Sequence, residues 1–412
     1  MLDWPDSLRC LRRRNLRLFF GGQALSLVGT WMQSVAMQWL VWRLTRSPAA
    51  LGAVAFLGQF PVALLGAVGG AVADRYHRRA VVFTTQALAT AQACALAAVT
   101  LLGLVRADNA WVIYALAAAL GTINAFDIPA RQALLADMGE EDLGNAIALN
   151  SSIVNGTRLV GPAIAGLIVA AAGEGVCFLL NAVSYVGILA SLAWMRFPAA
   201  ERRAPSGGLT EGVRYALRTP HVRALLAALG TTSIFGLTYA ALAPAFADRL
   251  GGGARLLGLL LSAAGMGALG GAASLLRRRG IDGMGRLVTW GMTAFGVGLL
   301  GFALSPSVAL SCLSLVVVGA GFMLQVASTN TLLQTLAPPE LRGRVMGLFS
   351  MVFVGISPLG ALAAGWAAGR MGAPVVVGVC AAVVLGGSLV LHAGLPELRR
   401  GVHRDYPGHF GG

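Results

Sequence analysis

Long apolar runs separated by short polar breaks organise the chain from end to end. Each run holds about 20 residues or more, enough for a helix to cross the ~30 Å hydrocarbon core of a bilayer. Twelve spans are predicted, at about 18–42, 50–73, 80–104, 110–130, 145–171 and 175–196, then 223–246, 254–276, 285–304, 308–331, 344–368 and 373–395. The breaks at 43–48, 106–109 and 172–175 are short turns on one side, and those at 75–79, 137–142 and 277–279 lie on the other. The spacing predicts a six-helix half over 1–197, a polar linker over 198–222, a second six-helix half over 223–396 and a polar tail over 397–412. The expected fold class is an all-α integral membrane protein of twelve transmembrane helices in two pseudo-symmetric halves.

The halves echo each other. Gly69-Gly70 leads through Asp74 into Arg75, Arg78 and Arg79, and Gly270-Gly271 leads about 200 residues later into Arg277-Arg278-Arg279. Leu134-Leu135 through Leu143 is matched by Leu332-Leu333 through Leu341. Two related sets of membrane helices are the build of a secondary transporter, with the substrate path at the interface between them.

The first span departs from the apolar pattern on one face. Gln23, Ser26, Thr30, Gln33, Ser34 and Gln38 fall within an arc of about 140° at 3.6 residues per turn. Such a face looks into a cavity or onto a partner helix. Lining of a substrate cavity and hydrogen bonding between helices both fit. If the face lines a cavity, its amides and hydroxyls suit a neutral or mixed-polarity substrate, with Trp31 and Trp39 adding an aromatic wall.

Composition narrows the class. Mean hydropathy is +0.73, and 57% of residues are hydrophobic against 12% charged, too apolar for a soluble chain of this length. The net charge of +14 is not a nucleic-acid signature, because the basic residues sit between apolar spans. Counted by side, 24 arginines fall with the termini and six opposite, which predicts both termini in the cytoplasm of a multi-pass cell-membrane protein. Every basic residue is arginine, so no phosphate-binding loop with its lysine is present and direct drive by ATP is not expected. The five cysteines and five histidines show no metal or disulfide spacing. His77 and His221 are expected in loops. No catalytic constellation, cofactor or metal site is expected. The arginines before the first span precede an apolar segment too long for a signal core, and it reads as a signal anchor. In the linker, the stretch after Gly207-Gly208 has helical spacing and fits either a short helix on the membrane surface or a solvated strand of chain.

Charges inside the membrane are few. Arg158 is the basic residue placed well inside a span, and Asp127 and Arg131 lie toward the cytoplasmic end of the fourth. Intramembrane charges are costly and are paired or functional. A network of Asp127 with Arg131 or Arg158 is expected, either as a lock between helices or as a relay that changes partners.

Gly70-x3-Asp74-Arg75-x2-Arg78-Arg79 resembles the loop motif between the second and third helices of the major facilitator superfamily, with His77 where that motif has glycine. Asn124-Ala125-Phe126-Asp127-Ile128-Pro129-Ala130-Arg131, with Leu341-Arg342-Gly343-Arg344, is similar to the enterobactin-exporter branch, which includes macrolide efflux pumps. Gly156-x4-Gly161-Pro162-x3-Gly166 loosely resembles the glycine–proline motif of drug/proton antiporters. Together, these motifs and the intramembrane charges give the gating candidates Gly70, Asp74, Arg75, Arg78, Arg79, Asp127, Arg131, Arg158, Gly161, Pro162, Arg342 and Arg344. In the loop motif the resemblance implies that the glycine allows tight packing, that Asp74 caps and pairs, and that a positive φ at the glycine position is tolerated by His77. On this reading Asp74 matters more than Arg78 or Arg79 taken singly. The resemblance implies a monomeric exporter of a small organic molecule (a siderophore, a macrolide or another amphipathic drug), driven by an ion gradient with H+ as the coupling ion. An importer of a small metabolite on the same fold is the alternative, and a membrane sensor or lipid-handling protein a more distant one.

Overall fold

A computed structural model describes residues 6–138, 142–195, 209–276 and 283–405, and every regular element among them is a helix. The helices are α1 (Arg14–Thr45), α2 (Pro48–Arg75), α3 (Arg78–Leu101), α4 (Trp111–Met138), α5 (Leu143–Ala172), α6 (Glu174–Trp194), α7 (Leu209–Arg218), α8 (Pro220–Arg249), α9 (Gly253–Leu276), α10 (Met284–Leu304), α11 (Val308–Leu336), α12 (Arg342–Met371) and α13 (Ala373–Asp405). Eleven of them are long and apolar enough to cross a membrane. The exceptions are the ten-residue α7 and α1. At 32 residues, α1 is long enough, but its polar face lowers its hydropathy. The linker residues Arg202, Arg203, Gly207 and Gly208, the arginines 277–279 and the tail from 406 lie outside the described residues.

Helix ends follow local chemistry. Ser47 caps α2, its hydroxyl accepting from the Ala50 N–H at 3.3 Å, with Pro48 in the first turn. Ser307 does the same for α11 through Leu310. Gly173 (φ +84°) joins α5 to α6 and Gly372 (φ +86°) joins α12 to α13. A side chain at either position would be strained, so these one-residue connections need glycine. They recur about 200 residues apart, as the sequence echo does.

Polarity is inverted relative to a soluble core. On α6, Asn181, Ser184 and Tyr185 are buried while Leu179, Leu180, Val183 and Val186 are exposed. Only hydrocarbon makes that arrangement favourable.

The chain forms two compact units. The first comprises Met1–Ala50, Leu57–Pro205 and Gly251–Ser262, the second Leu51–Phe56, Ser206–Leu250 and Ala263–Gly412. The predicted halves and these units differ where a short piece packs on a distant helix. Gly258 of α9 closes on the backbone of Pro162 and Gly166 of α5, and the Ser262 hydroxyl donates to the Leu159 carbonyl at 2.8 Å. Gly52 of α2 packs on Ala361 and Gly365 of α12.

Within the first unit, α2 and α4 cross twice by one device. A helical proline cannot donate to the carbonyl four residues back and pushes it outward. Pro61 lies in α2 and Pro129 in α4. Gly121 of α4 packs against the Leu57 and Gly58 carbonyls of α2, and Gly69 of α2 packs against the Ala125 carbonyl of α4. Each proline thus frees a carbonyl that the partner helix meets with a glycine. The close contact belongs to Gly69, while a Cβ on Gly70 would meet nothing. In the second unit Gly267 and Gly271 of α9 pack on Val316 and Ala320 of α11, and Gly270 is open.

Two helices of the second unit contain a π-helical turn, Thr232–Gly236 in α8 and Met351–Gly355 in α12. Such turns carry an extra residue and displace a carbonyl. Gly360 of α12 sits against the Ile234 carbonyl of α8, where any side chain would collide.

Candidate functional site

The loop between α2 and α3 positions its charges by helix ends. Arg78 begins α3, so its side chain reaches back toward the last turn of α2 and across to the end of α4. It donates to Asp137 on α4, contacts Asp74 on α2 at 3.7 Å and donates to the Ala133 carbonyl at 3.4 Å. Arg79 donates to the Ala193 carbonyl at the end of α6 at 3.1 Å, where the helix dipole favours a cation. Arg75 is exposed. The centre of the cluster is therefore Arg78, with Asp74 as one of its acceptors and Asp137 as another. His77 has φ −62°, an ordinary backbone conformation, so the residue in the glycine position bears no strain and the expectation of a positive φ does not hold.

Deeper in the unit, Asp127 of α4 is 1% exposed. One carboxylate oxygen accepts from Thr85 Oγ1 and Gln86 Nε2 of α3, each at 2.8 Å, and the other from Arg131 one turn on. Ionic and neutral donors together satisfy a charge that burial would otherwise penalise. The expected pairing with Arg131 forms. Arg158 lies elsewhere, its guanidinium carbon 5.3 Å from the centre of the Trp31 ring on α1. Gly161 sits against Trp31, a Cβ there falling 2.5 Å from the Trp31 Cβ, and Pro162 is buried at the α5 crossing with Gly258.

The polar face of α1 divides. Gln33 is 1% exposed and donates to Gln92 of α3 at 2.9 Å while accepting from Asn181 of α6 at 2.8 Å. Gln92 passes the chain to the Leu116 carbonyl of α4 at 3.0 Å. Gln23, also buried, donates to Asn150 of α5 at 2.8 Å, and Ser26 is buried. Thr30 contacts the Tyr185 hydroxyl at 3.2 Å. Ser34 and Gln38 are half-buried. Of the two readings of this face, the amide chain through Gln33 matches hydrogen bonding between helices.

Sequence reasoning missed two ties. Arg43 at the end of α1 binds both oxygens of Glu174 at the start of α6, at 2.7 and 3.2 Å. An acid opening a helix and an arginine closing one are the signals that mark it. Arg9 meets Asp142 at 2.7 Å beside a Cys10 N–H bond to Asn145 at 3.1 Å, which fastens the N-terminal turn to the start of α5. In the second unit Arg344 pairs with Glu211 of α7, Gly212 packs on Arg344, and Arg342 is exposed. The linker after residue 208 is therefore a helix docked on α12. His221, expected in a loop, is buried in the first turn of α8.

Buried amide and carboxylate groups inside an apolar, inverted bundle mark a multi-pass membrane protein. A family model described as "Transmembrane secretion effector" matches residues 6–404, and the chain belongs to that family of major facilitator transporters. The chain is 28% identical over 386 residues to the enterobactin exporter EntS of Shigella boydii, covering 90% of each. It is 27% identical over 350 residues to the multidrug efflux pump Tap of Mycolicibacterium fortuitum, covering 82% of this chain and 85% of that one. A solved structure of a POT family transporter with a bound thioalcohol-conjugated peptide shares the fold, with TM-score 0.75 at 13% identity over 93% of this chain and 96% of that one.

Proposed function

We propose that this protein is a secondary active exporter of small organic molecules, working by alternating access with twelve spans in two halves, α1 serving as the first. The observation that carries the reading is the near full-length similarity to proteins named as an enterobactin exporter and a multidrug efflux pump. Siderophores, macrolides and other amphipathic drugs are the substrate candidates, an ion gradient the drive, and H+ the coupling ion. The protein acts as a monomer with both termini in the cytoplasm, a placement supported by the arginine asymmetry.

The gate assigned here is the Arg78 cluster. Arg78 ties the ends of α2 and α4 to α3 while its contacts hold, and releasing them frees all three ends together. Asp127, the buried carboxylate of α4 paired with Arg131, is the candidate for the coupling site. Everted membrane vesicles incubated with a panel of siderophores and macrolides test the reading. Accumulation above that of vesicles lacking the protein, abolished by a protonophore, is expected. Accumulation insensitive to the protonophore would remove the proton from the scheme, and none for any compound would remove export.

A further inference from the structure

With ten residues α7 is too short to span, yet its two attachments fix its depth. Thr219 alone separates it from α8, a helix apolar enough to cross the bilayer. Its Glu211 pairs with Arg344 in the first turn of α12, a second such helix. Both attachments are to the ends of spanning helices, so α7 lies at the level of the bilayer surface.

Three faces follow one another around this helix. Gly212 and Ala216, one turn apart, are buried, and Gly212 packs on Arg344. Val213 and Leu217 come next, about 100° further round, and are 39% and 61% exposed. Arg214 and Arg218 come about 100° beyond those, and both are exposed. Glu211, the carboxylate that α7 carries, is already taken up by Arg344. Arg223 of α8 donates to the Leu217 carbonyl at 3.3 Å, which brings a third guanidinium to the end of α7. An apolar pair left uncovered beside a run of arginines fits the boundary between acyl chains and headgroups, where both find partners.

We propose that α7 is a binding site for an anionic phospholipid, with Val213 and Leu217 reaching its acyl chains and Arg214, Arg218 and Arg223 holding its phosphate. The planar fork of a guanidinium matches phosphate oxygens with paired hydrogen bonds. Each arginine held near an anionic leaflet adds to the attraction, and the exposed apolar pair adds what a free phosphate could not use. The site does not depend on what the protein transports.

Native mass spectrometry of the detergent-purified full chain, titrated with phosphatidylglycerol, phosphatidylcholine or inorganic phosphate, tests this. Wild type should hold phosphatidylglycerol about tenfold or more tightly than phosphatidylcholine. Arg214→Gln with Arg218→Gln should remove most of that preference, and the same two positions changed to lysine should keep the greater part of it, since charge is retained. Leu217→Gln should weaken the hold on phosphatidylglycerol while leaving inorganic phosphate unaffected. An undiminished preference in the glutamine pair, or a lysine pair as weak as the glutamine pair, would overturn the proposal. Inorganic phosphate displacing the lipid at equal concentration would make the arginines a general anion site and overturn the assignment to lipid. So would a dimer mass that Leu217→Gln abolishes with lipid binding unchanged, because a second copy would then cover the apolar pair.

Discussion

In the first compact unit α4 buries Asp127 beside Arg131 and α5 carries Arg158 halfway along its length. Their counterparts in the second unit by chain order, α11 and α12, carry no charge at these depths. There Gln325 accepts from Thr232 at 2.9 Å and donates to the Ala228 carbonyl at 3.1 Å. Phe295, Phe322, Phe353 and Phe349 form a run of rings 5.8 to 5.9 Å apart. The two π-helical turns lie in this same unit. The two units thus differ in where they keep polarity. One unit holds the intramembrane charge, and the other holds the irregular helices.

The sharpest way to break that contrast is Asp127→Ala. It removes a carboxylate that is 1% exposed and leaves Arg131, 18% exposed, without its partner; removal of one partner of a fully buried pair costs about 3–5 kcal/mol, which is the upper bound here. Unfolding of the purified protein should show a loss within that bound, and a loss below ~1 kcal/mol would mean the charge is not held as described. Next comes the gate. Arg78→Ala removes contacts to Asp74, Asp137 and the Ala133 carbonyl together, whereas Asp74→Asn leaves Asp137 in place. Vesicle transport at equal expression should therefore fall about tenfold or more for Arg78→Ala and by less for Asp74→Asn. The reverse order would return the central role to Asp74.

A matched pair of substitutions compares the units directly. Gln33→Leu strands hydrogen-bonding groups on Gln92 and Asn181 and should cost about 1–3 kcal/mol. Gln325→Leu strands the Thr232 hydroxyl, which can turn to another acceptor, and should cost about 1 kcal/mol or less. Equal losses would erase the distinction between the amide chain of one unit and the single amide of the other. The smallest effect is expected for Arg344→Ala, whose partner Glu211 is exposed at the surface. Stability should change by less than ~1 kcal/mol, while cysteine labelling in α7 should rise if the pair holds that helix on α12.

Eleven of the spans were legible because each is a long apolar run, and the predicted span that hydropathy does not class with them is α1, the helix with a polar face. For α1, a helical wheel yields the face but not its neighbour. Gln92 and Asn181 sit inside ordinary-looking apolar segments, and only packing shows that Gln33 lies between them. Gly69 and Gly70 are equivalent as text, yet they point about 100° apart on the helix, and one touches α4 while the other does not. The acids at 137 and 174 were hidden for another reason. Each meets an arginine far away in sequence, and helix length and tilt, which local pattern does not fix, decide the pairing. The Asp127–Arg131 pair was readable because it is local, a residue and its neighbour one turn on.

The π-helical turn at Thr232–Gly236 carries one more residue than regular α geometry needs over the same rise. One residue is about 100° of rotation. The faces of α8 before and after the turn are therefore out of phase when counted by residue number, and in phase in space. Excising a single residue there would regularise the backbone at no cost in length that the bilayer would register. It would also draw the displaced Ile234 carbonyl back into the helix and leave Gly360 facing an empty notch. The turn and the glycine form a lock and its keyhole written 126 positions apart, and a change to one is legible only through the other.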